Sequence, residues 1–244
     1  MDICYLDSNL LVCIKPVGVL AESHHGNGLP DLVQTHLVKI GESNCGVYTV
    51  HRLDRGVGGL TVLARSSDAA AKLSLQIQKG EFIKEYLAVL IGVPENKEDT
   101  LKDLLFRDAS QGKTYVVDRM RKGVREASLS YQYLGSRMDG ERTLSLVRIR
   151  LHTGRTHQIR VQFASRGLPL YGDSRYGSGD KSDNPALYAW HLQFRKPFQH
   201  HKTIDISVLP EAIYPFSLFN DELNELKNCA KTSEKACQST QNML

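Results

Sequence analysis

One short segment of the chain places an acid between two arginines, a combination that can take part in covalent chemistry. It reads His51-Arg52-Leu53-Asp54-Arg55 and is followed closely by the apolar run 59–64. Nearby positive charge favours the ionised form of a carboxyl group, so Asp54 is expected to be a carboxylate. A carboxylate is a poor proton carrier, but it can act as a nucleophile or stabilise positive charge. These five residues alone are more typical of a surface ion pair beside a turn.

A second cationic segment spans residues 151–161 and reads Leu-His-Thr-Gly-Arg-Thr-His-Gln-Ile-Arg-Val. Thr156 is expected to cap a helix that runs to Ser165. On that helix His157 and Arg160 share a face. A helix N-terminus next to Arg155 suits a phosphate, and Arg160 can reach a neighbouring carboxylate. His157 is equally compatible with substrate contact and with a structural role.

Two other interpretations of this segment are weaker. His152 and His157 could bind zinc, but no third ligand lies at a suggestive spacing. Gly154 is not followed by Gly-Lys-Ser/Thr, so the segment is not a nucleotide-binding P-loop. We therefore predict no metal and no cofactor.

Charge is distributed unevenly along the chain of 244 residues. The net charge is +4, yet residues 107–175 alone contain 14 Lys and Arg against 6 Asp and Glu. Twelve of those cations are arginines, whose planar forks suit phosphate oxygens, and a basic stripe is typical of nucleic-acid binding. A solvated charged face would usually mix the two signs more evenly. The charge pattern therefore favours a nucleic-acid partner.

The remaining composition indicates a soluble, reduced environment. The five cysteines are scattered, which indicates neither a disulfide framework nor a zinc site. No apolar run approaches the roughly 20 residues needed to cross a bilayer, and the acidic N-terminus lacks the basic start of a signal peptide. We expect a cytoplasmic protein that does not associate with membranes, and nothing in the sequence points away from a monomer.

The apolar periodicity predicts one alternating chain without repeats. Expected strands cover residues 9–14, 60–64, 85–91, 128–134, 144–151, 187–192 and 203–208; expected helices cover residues 30–40, 66–79, 156–165 and 220–230. Residues 96–126 are expected to be a charged, loop-rich excursion. We assign 1–220 to one catalytic domain, and 221–244 to a C-terminal helix and polar tail.

Two further fragments, Lys84-Glu85-Tyr86 and the stretch 188–194 with Leu192, complete a pattern. In order and spacing, the chain from about residue 5 to 210 resembles the RluA family of RNA pseudouridine synthases. The matching residues are Leu10-Leu11-Val12, Lys15-Pro16-Val17-Gly18, His51-Arg52-Leu53-Asp54, Gly59-Leu60, Lys84-Glu85-Tyr86, Thr153 to Val161, Gly172-Asp173 and His191-Leu192. No S4-like RNA-binding domain fits before residue 5, so we expect the basic segment to select the substrate.

The resemblance implies an α+β fold, in which a mixed, mostly antiparallel bent sheet surrounds a central RNA-binding cleft with helices and loops. It also implies isomerisation of uridine to pseudouridine in ribosomal or transfer RNA. The implied site residues are Asp54 as catalytic aspartate, Tyr86 as active-site tyrosine, Arg160 as partner of Asp54, Arg52 in base flipping and Leu192 as a wall of the base pocket. We add Arg55, Arg155 and His157 as expected substrate contacts.

The expected chemistry suits these side chains. The target base must leave the RNA stack before it can react. Asp54 can attack the ribose anomeric carbon, or otherwise assist as the glycosidic bond breaks, as carboxylates do in glycosidases. Tyr86 is expected to stack on the uracil, and it could assist removal of the C5 proton.

The chain departs from the family pattern in two places. Val57-Gly58 stands where Thr-Ser is usual, and Val161-Gln162 where Val-His is common. The first change removes two hydroxyls beside Asp54 and introduces a flexible residue. Two alternatives therefore remain: a catalytically impaired RNA-binding relative, and a nucleoside or glycosidic hydrolase. A hydrolase would need a second acid near Asp54, and no motif supports Asp68 or Glu85 in that role.

Overall fold

The computed structural model describes residues 1–22, 26–42, 46–179 and 184–229. The strands are β1 (Ile3–Leu6), β2 (Leu10–Lys15), β3 (Tyr48–Thr49), β4 (Gly58–Ala64), β5 (Ile83–Ile91), β6 (Glu98–Asp108), β7 (Lys113–Val117), β8 (Val124–Asp139), β9 (Arg142–Leu151), β10 (Leu187–Lys196) and β11 (Gln199–Ser207). The helices are α1 (Leu29–Lys39), α2 (Ser67–Gln78), α3 (Gln158–Ala164) and α4 (220–229). Each expected strand and helix has a counterpart here; residue 230 and the predicted polar tail lie outside the described residues.

The strands form a mixed sheet in the order β1-β2-β4-β10-β5-β9-β8-β6-β7, with β11 added to β10 and β3 to β4. β10 runs parallel to β4 and antiparallel to β5 and β11. The other pairings of the described strands are antiparallel. The predicted mixed, mostly antiparallel sheet of an α+β fold is therefore confirmed.

The predicted loop-rich excursion over residues 96–126 is wrong, because most of it lies in strands β6, β7 and the start of β8. Leu101 and Leu105 point into the core, whereas Lys102 between them faces solvent. Pairing with β8 satisfies the backbone of β6 along nine registered residue pairs. Charge on the solvent face conceals such a strand in the sequence, since β pairing depends on distant partners.

The predicted cap of the third helix is also wrong. α3 begins at Gln158, and His157 rather than Thr156 occupies the N-cap position, without a side-chain cap hydrogen bond. The backbone of His157 has a φ of 53°, a left-handed conformation that residues other than glycine rarely adopt. No other non-glycine residue in the described part of the chain has a positive φ. The left-handed turn at His157 therefore precedes the first residue of α3, and His157 itself belongs to the candidate site.

The core lies on both faces of the sheet and fixes the segments around the site. Ile159 and Phe163 of α3 pack against buried residues of β5, β8 and β9. Leu223 and Leu226 of α4 pack against the opposite face. The proposed division of the chain near residue 220 stays a prediction. No helix among the described residues is both long and apolar enough to cross a membrane.

Candidate active site

A cavity of about 650 Å³ opens where the loop before β4, strand β5 and the start of α3 meet. Six of the eight residues predicted from the sequence to form the site line it: Asp54, Tyr86, Arg160, Arg52, Arg155 and His157. They come from segments up to about 100 residues apart in the chain, and the sheet brings them together. Two further predicted residues, Arg55 and Leu192, do not line the cavity.

Lys15, at the end of β2, anchors the loop that carries Asp54. Its side chain is fully buried, and its Nζ donates to the carbonyl oxygens of Pro16 (2.9 Å), Val19 (2.8 Å) and Arg55 (3.4 Å). Burial lowers the pKa of Lys15 to about 8, although the charge of Asp54 opposes this shift. Lys15 therefore holds the loop next to Asp54 in place by hydrogen bonds to its main-chain carbonyl groups.

The Asp54 carboxylate lies between two basic side chains of the third helix region. Its Oδ2 is 3.4 Å from Nη1 of Arg160 and 3.8 Å from Nε2 of His157. Burial lowers the pKa of His157, and the neighbouring charge of Asp54 only partly offsets that effect. A neutral His157 leaves Arg160 as the closer positive charge at Asp54. The carboxylate is 23% exposed, so it remains accessible from the cavity.

Arg160 has a second carboxylate partner that the sequence analysis did not assign. Its Nε and Nη2 each donate a 2.7 Å hydrogen bond to Asp173, which is fully buried. The guanidinium also lies 5.2 Å from the ring centroid of Tyr176, whose hydroxyl is 2.9 Å from Nδ1 of His157. Asp173 and Tyr176 therefore hold the two basic residues that face Asp54. The Gly172-Asp173 pair in the matching pattern was the available signal for Asp173.

Tyr86 is nearly buried in the apolar floor of the cavity, next to Leu53, Val57 and Ile159. Burial raises the pKa of its hydroxyl strongly, and the charge of Asp54 raises it further. The phenol is therefore neutral at physiological pH. A neutral aromatic ring beside a carboxylate offers a flat apolar surface and one hydrogen-bonding group.

The two flanking arginines of Asp54 differ in position. Arg52 is exposed at the rim of the cavity, 3.5 Å from Glu22. Arg55 is exposed as well, but its Nε donates to the carbonyl of Gly18, outside the cavity. Arg155 is exposed and also lines the cavity, and its Nε donates to the carbonyl of Glu126. Arg52 and Arg155 thus border the entrance.

Leu192, which the resemblance implied as a wall of the base pocket, does not line this cavity. Leu192 is 1% exposed and packs in a separate core cluster with Phe82 and Phe194. Leu187, five residues earlier on β10, lines the cavity beside Tyr86 instead. An irregularity in β10 between Ala189 and His191 changes which residues face each cluster. That irregularity depends on the β5 partner, so the local sequence does not reveal it.

The unusual Val57-Gly58 step is accommodated by packing. Val57 is 2% exposed and belongs to the apolar cluster of Tyr86. A Cβ on Gly58 would lie 3.2 Å from Cγ2 of Val17 and 3.6 Å from Tyr188, so that space is already occupied. At the next residue, a Cβ on Gly59 would collide with the main chain of Ala189. The step therefore fits a tightly packed strand rather than a flexible loop.

Gln162, the second departure, also has a defined contact. Its side chain is fully buried and its Nε2 donates a 2.7 Å hydrogen bond to Asp103 on β6. Arg166 donates to the same carboxylate at 2.9 Å. Gln162 thus joins α3 to the sheet, and it does not line the cavity.

A cleft that combines the accessible Asp54 carboxylate, a neutral tyrosine and several arginines on an open α+β sheet is typical of an enzyme that acts on a polyanion. Comparison with known proteins identifies the family to which this enzyme belongs. The family model described as RNA pseudouridylate synthase matches residues 9–165, and the chain belongs to this family.

Individual relatives agree with this assignment. The uncharacterized RNA pseudouridine synthase YhcT of Bacillus subtilis is 34% identical over 224 residues, covering 90% of this chain and 70% of that protein. The ribosomal large subunit pseudouridine synthase D of Haemophilus influenzae is 34% identical over 183 residues, covering 72% of this chain. The chain spans only 53% of that second relative.

Solved structures show the same fold. The human RNA pseudouridylate synthase domain containing 4 aligns with a TM-score of 0.70 at 22% identity, covering 93% of each chain. The human domain containing 1 protein aligns with a TM-score of 0.69 at 23% identity, covering 88% of this chain and 84% of that one.

Proposed function

We propose that this chain isomerises uridine to pseudouridine within RNA, with Asp54 as the nucleophile. The observation that carries the proposal is the position of the Asp54 carboxylate: accessible from the cavity, 3.4 Å from Arg160, and near enough to Tyr86 to raise the pKa of its hydroxyl. Burial on the protein side and access on the cavity side suit attack on one sugar carbon of a flipped nucleotide.

In the proposed reaction, an Asp54 oxygen bonds to C1′ of the ribose while the C1′–N1 bond breaks and its electron pair goes to the uracil. The uracil turns over the ring of Tyr86, and C5 then bonds to C1′ as the carboxylate leaves. The C5 proton is lost and N1 gains one, so the atoms balance as an isomerisation. Arg160 compensates the charge of the carboxylate before and after the covalent step.

Ribosomal RNA is the first substrate to test, because relatives carry ribosomal large subunit names. The exposed arginines of the basic segment suit phosphate contacts along such an RNA; they are Arg107, Arg119, Arg121, Arg125, Arg150, Arg155, Arg166 and Arg175. A monomeric state and a cytoplasmic location remain predictions.

The two alternatives have less support. A hydrolase with paired carboxylates would need a second free acid facing Asp54. Glu22 is the other acid lining the described cavity, and it lies at the rim near Arg52. Asp173 is fully buried and is bound to Arg160 through both of its oxygens. A catalytically impaired relative is disfavoured because Asp54, Tyr86 and Arg160 are assembled around one cavity.

The test is tritium release from RNA labelled at C5 of uridine, using unmodified large-subunit ribosomal RNA and transfer RNA transcripts. Wild-type protein should release tritium, and Asp54→Asn should lower the rate at least about 1000-fold, because the nucleophile is lost. Asp68→Asn, the same substitution at an exposed position of α2, should keep the wild-type rate. Wild-type turnover by Asp54→Asn contradicts the proposal.

A further inference from the structure

Lys84 lies two residues before Tyr86 on β5 and is a nearly buried cation with no counter-ion among the described residues. It is 9% exposed, and its Nζ makes no hydrogen bond or ion pair with the residues that the structure describes. The other buried cations of the site are satisfied: Lys15 by carbonyl oxygens and Arg160 by carboxylates. Burying an unpaired charge costs free energy, so its retention here points to a ligand that supplies the missing partner.

The ammonium of Lys84 faces the cavity. Lys84 lines it together with the segment that contains Gly154, and a Cβ on Gly154 would lie 3.6 Å from Nζ. Because Gly154 is exposed and has no side chain, a group entering from solvent can approach the ammonium there.

The neighbouring histidine does not provide the missing charge. His51 accepts a 3.0 Å hydrogen bond at Nε2 from the Val62 amide, so its proton is on Nδ1. Nδ1 is buried without a partner among the described residues. Burial lowers the pKa of His51 to about 3, and the charge of Lys84 contributes. This end of the cavity therefore presents one cation, and none of the described residues places an anion within hydrogen-bond distance of it.

We propose that Lys84 binds, from inside the cavity, a backbone phosphate next to the target uridine. The proposal rests on the proposed function, because it takes RNA as the ligand. Lys84 and Tyr86 point to the same face of β5, about 7 Å apart along the strand. A phosphate at Lys84 would thus belong to the nucleotide at Asp54 or to its direct neighbour. Phosphate contacts fix the register of a nucleic acid on its protein, so Lys84 would place the ribose over Asp54.

The first experiment measures binding without turnover. The probe is a fragment of the RNA that wild-type protein modifies, and the protein carries Asp54→Asn. Adding Lys84→Met should raise Kd about tenfold at 0.1 M salt. It should also reduce the slope of log Kd against log salt by about 0.7, the value for one phosphate on a single strand. Lys39→Met removes the same charge from the exposed end of α1, away from the cavity, and should change neither quantity.

The second experiment locates the contact. Either phosphate flanking the target uridine is replaced by a neutral methylphosphonate. One replacement should weaken binding by the protein with Lys84 about tenfold, yet have little effect with Lys84→Met. Lys84→Arg keeps the charge and should retain part of the affinity and the full salt slope, which separates loss of charge from altered packing.

Three results would overturn the inference. The first is an unchanged Kd and salt slope in Lys84→Met. The second is a methylphosphonate that weakens binding equally with and without Lys84. The third is unchanged RNA binding by Lys84→Met combined with an altered pH profile of its turnover. The last would place Lys84 in proton transfer instead. All three leave pseudouridine formation by wild-type protein intact, so they are distinguishable from failure of the proposed function.

Discussion

Arg160 holds Asp173 more closely than it holds Asp54. Two hydrogen bonds of 2.7 Å join the guanidinium to Asp173, while a single contact of 3.4 Å reaches Asp54. Bidentate pairs of this kind fix geometry as well as charge. Asp173 therefore orients the arginine. Asp54 receives only a long contact from Arg160 and stays accessible, which suits the nucleophilic role proposed for it.

The first prediction concerns this pair. Asp173→Asn should destabilise the protein by about 3 kcal/mol, because it removes one charge from a buried, bidentate ion pair. It should also slow turnover at least about tenfold, since the released guanidinium would bind Asp54 more tightly. Urea unfolding and single-turnover tritium release measure the two effects.

Asp139→Asn is the matched control, because Asp139 is partly exposed, lies 4.0 Å from Arg142, and accepts a 2.6 Å hydrogen bond from Tyr214 that an asparagine oxygen can also accept. It should cost less than about 1 kcal/mol and leave turnover unchanged. Wild-type stability and rate in Asp173→Asn would show that Asp173 does not position Arg160.

The second prediction separates two leucines of β10. Leu187→Ala enlarges the cavity beside Tyr86 and should lower kcat/KM at least about fivefold. Leu192→Ala leaves a void in a closed core cluster and should cost about 2–5 kcal/mol of stability. Its kcat/KM should stay near the wild-type value at temperatures where the protein is folded. Steady-state kinetics and thermal unfolding of both variants test this, and the reverse pattern would restore Leu192 to the pocket.

The third prediction addresses the Val57-Gly58 step. Val57→Thr puts a hydroxyl into the apolar cluster of Tyr86 and should cost about 1–2 kcal/mol. In Gly58→Ser the new Cβ would lie 3.2 Å from Cγ2 of Val17, and because that valine is exposed and can shift by a few tenths of an ångström, the effect on stability should be small. Neither variant should raise kcat, measured by tritium release at saturating RNA. A faster double variant would show that the missing hydroxyls limit this chain.

The fourth prediction is a pH dependence of stability. Burial opposes the charge of His191, but hydrogen bonds to Asp205 and Glu85 outweigh it and raise its pKa to about 9. The unfolded value is near 6.5, so the native state holds this proton more tightly. The resulting stabilisation, about 2–3 kcal/mol, is fully present below pH 6.5 and is lost as pH rises through 9.

The corresponding measurement is the difference in unfolding free energy between wild type and His191→Gln at several pH values. That difference should shrink between pH 6.5 and 9.5, whereas other titrating groups cancel in the comparison. His200→Gln, at an exposed position of β11, is the control for the His-to-Gln substitution itself. A constant difference for His191→Gln would mean that the proton is not retained by the fold.

Strand and helix positions were largely predictable, because they depend on local periodicity. The runs at 60–64 and 85–91 became β4 and β5, and Ser66 caps α2 by accepting a hydrogen bond from Ala69. β6 was missed because its many charged residues conceal the alternation of apolar and polar side chains along the strand. The start of α3 was misplaced because a left-handed His157 replaces a conventional cap.

The sequence by itself determined the family and the groups available for chemistry. Asp54, Tyr86 and Arg160 lie in short motifs whose order and spacing match the family pattern, so they could be recognised without coordinates. Only the tertiary structure decided which partners surround them. The bidentate hold of Asp173 on Arg160, the placement of Leu187 rather than Leu192 in the cavity, and the unpaired ammonium of Lys84 all depend on long-range sheet pairing. Contacts of this kind are set by strand register and by an irregularity in β10, which no local pattern encodes.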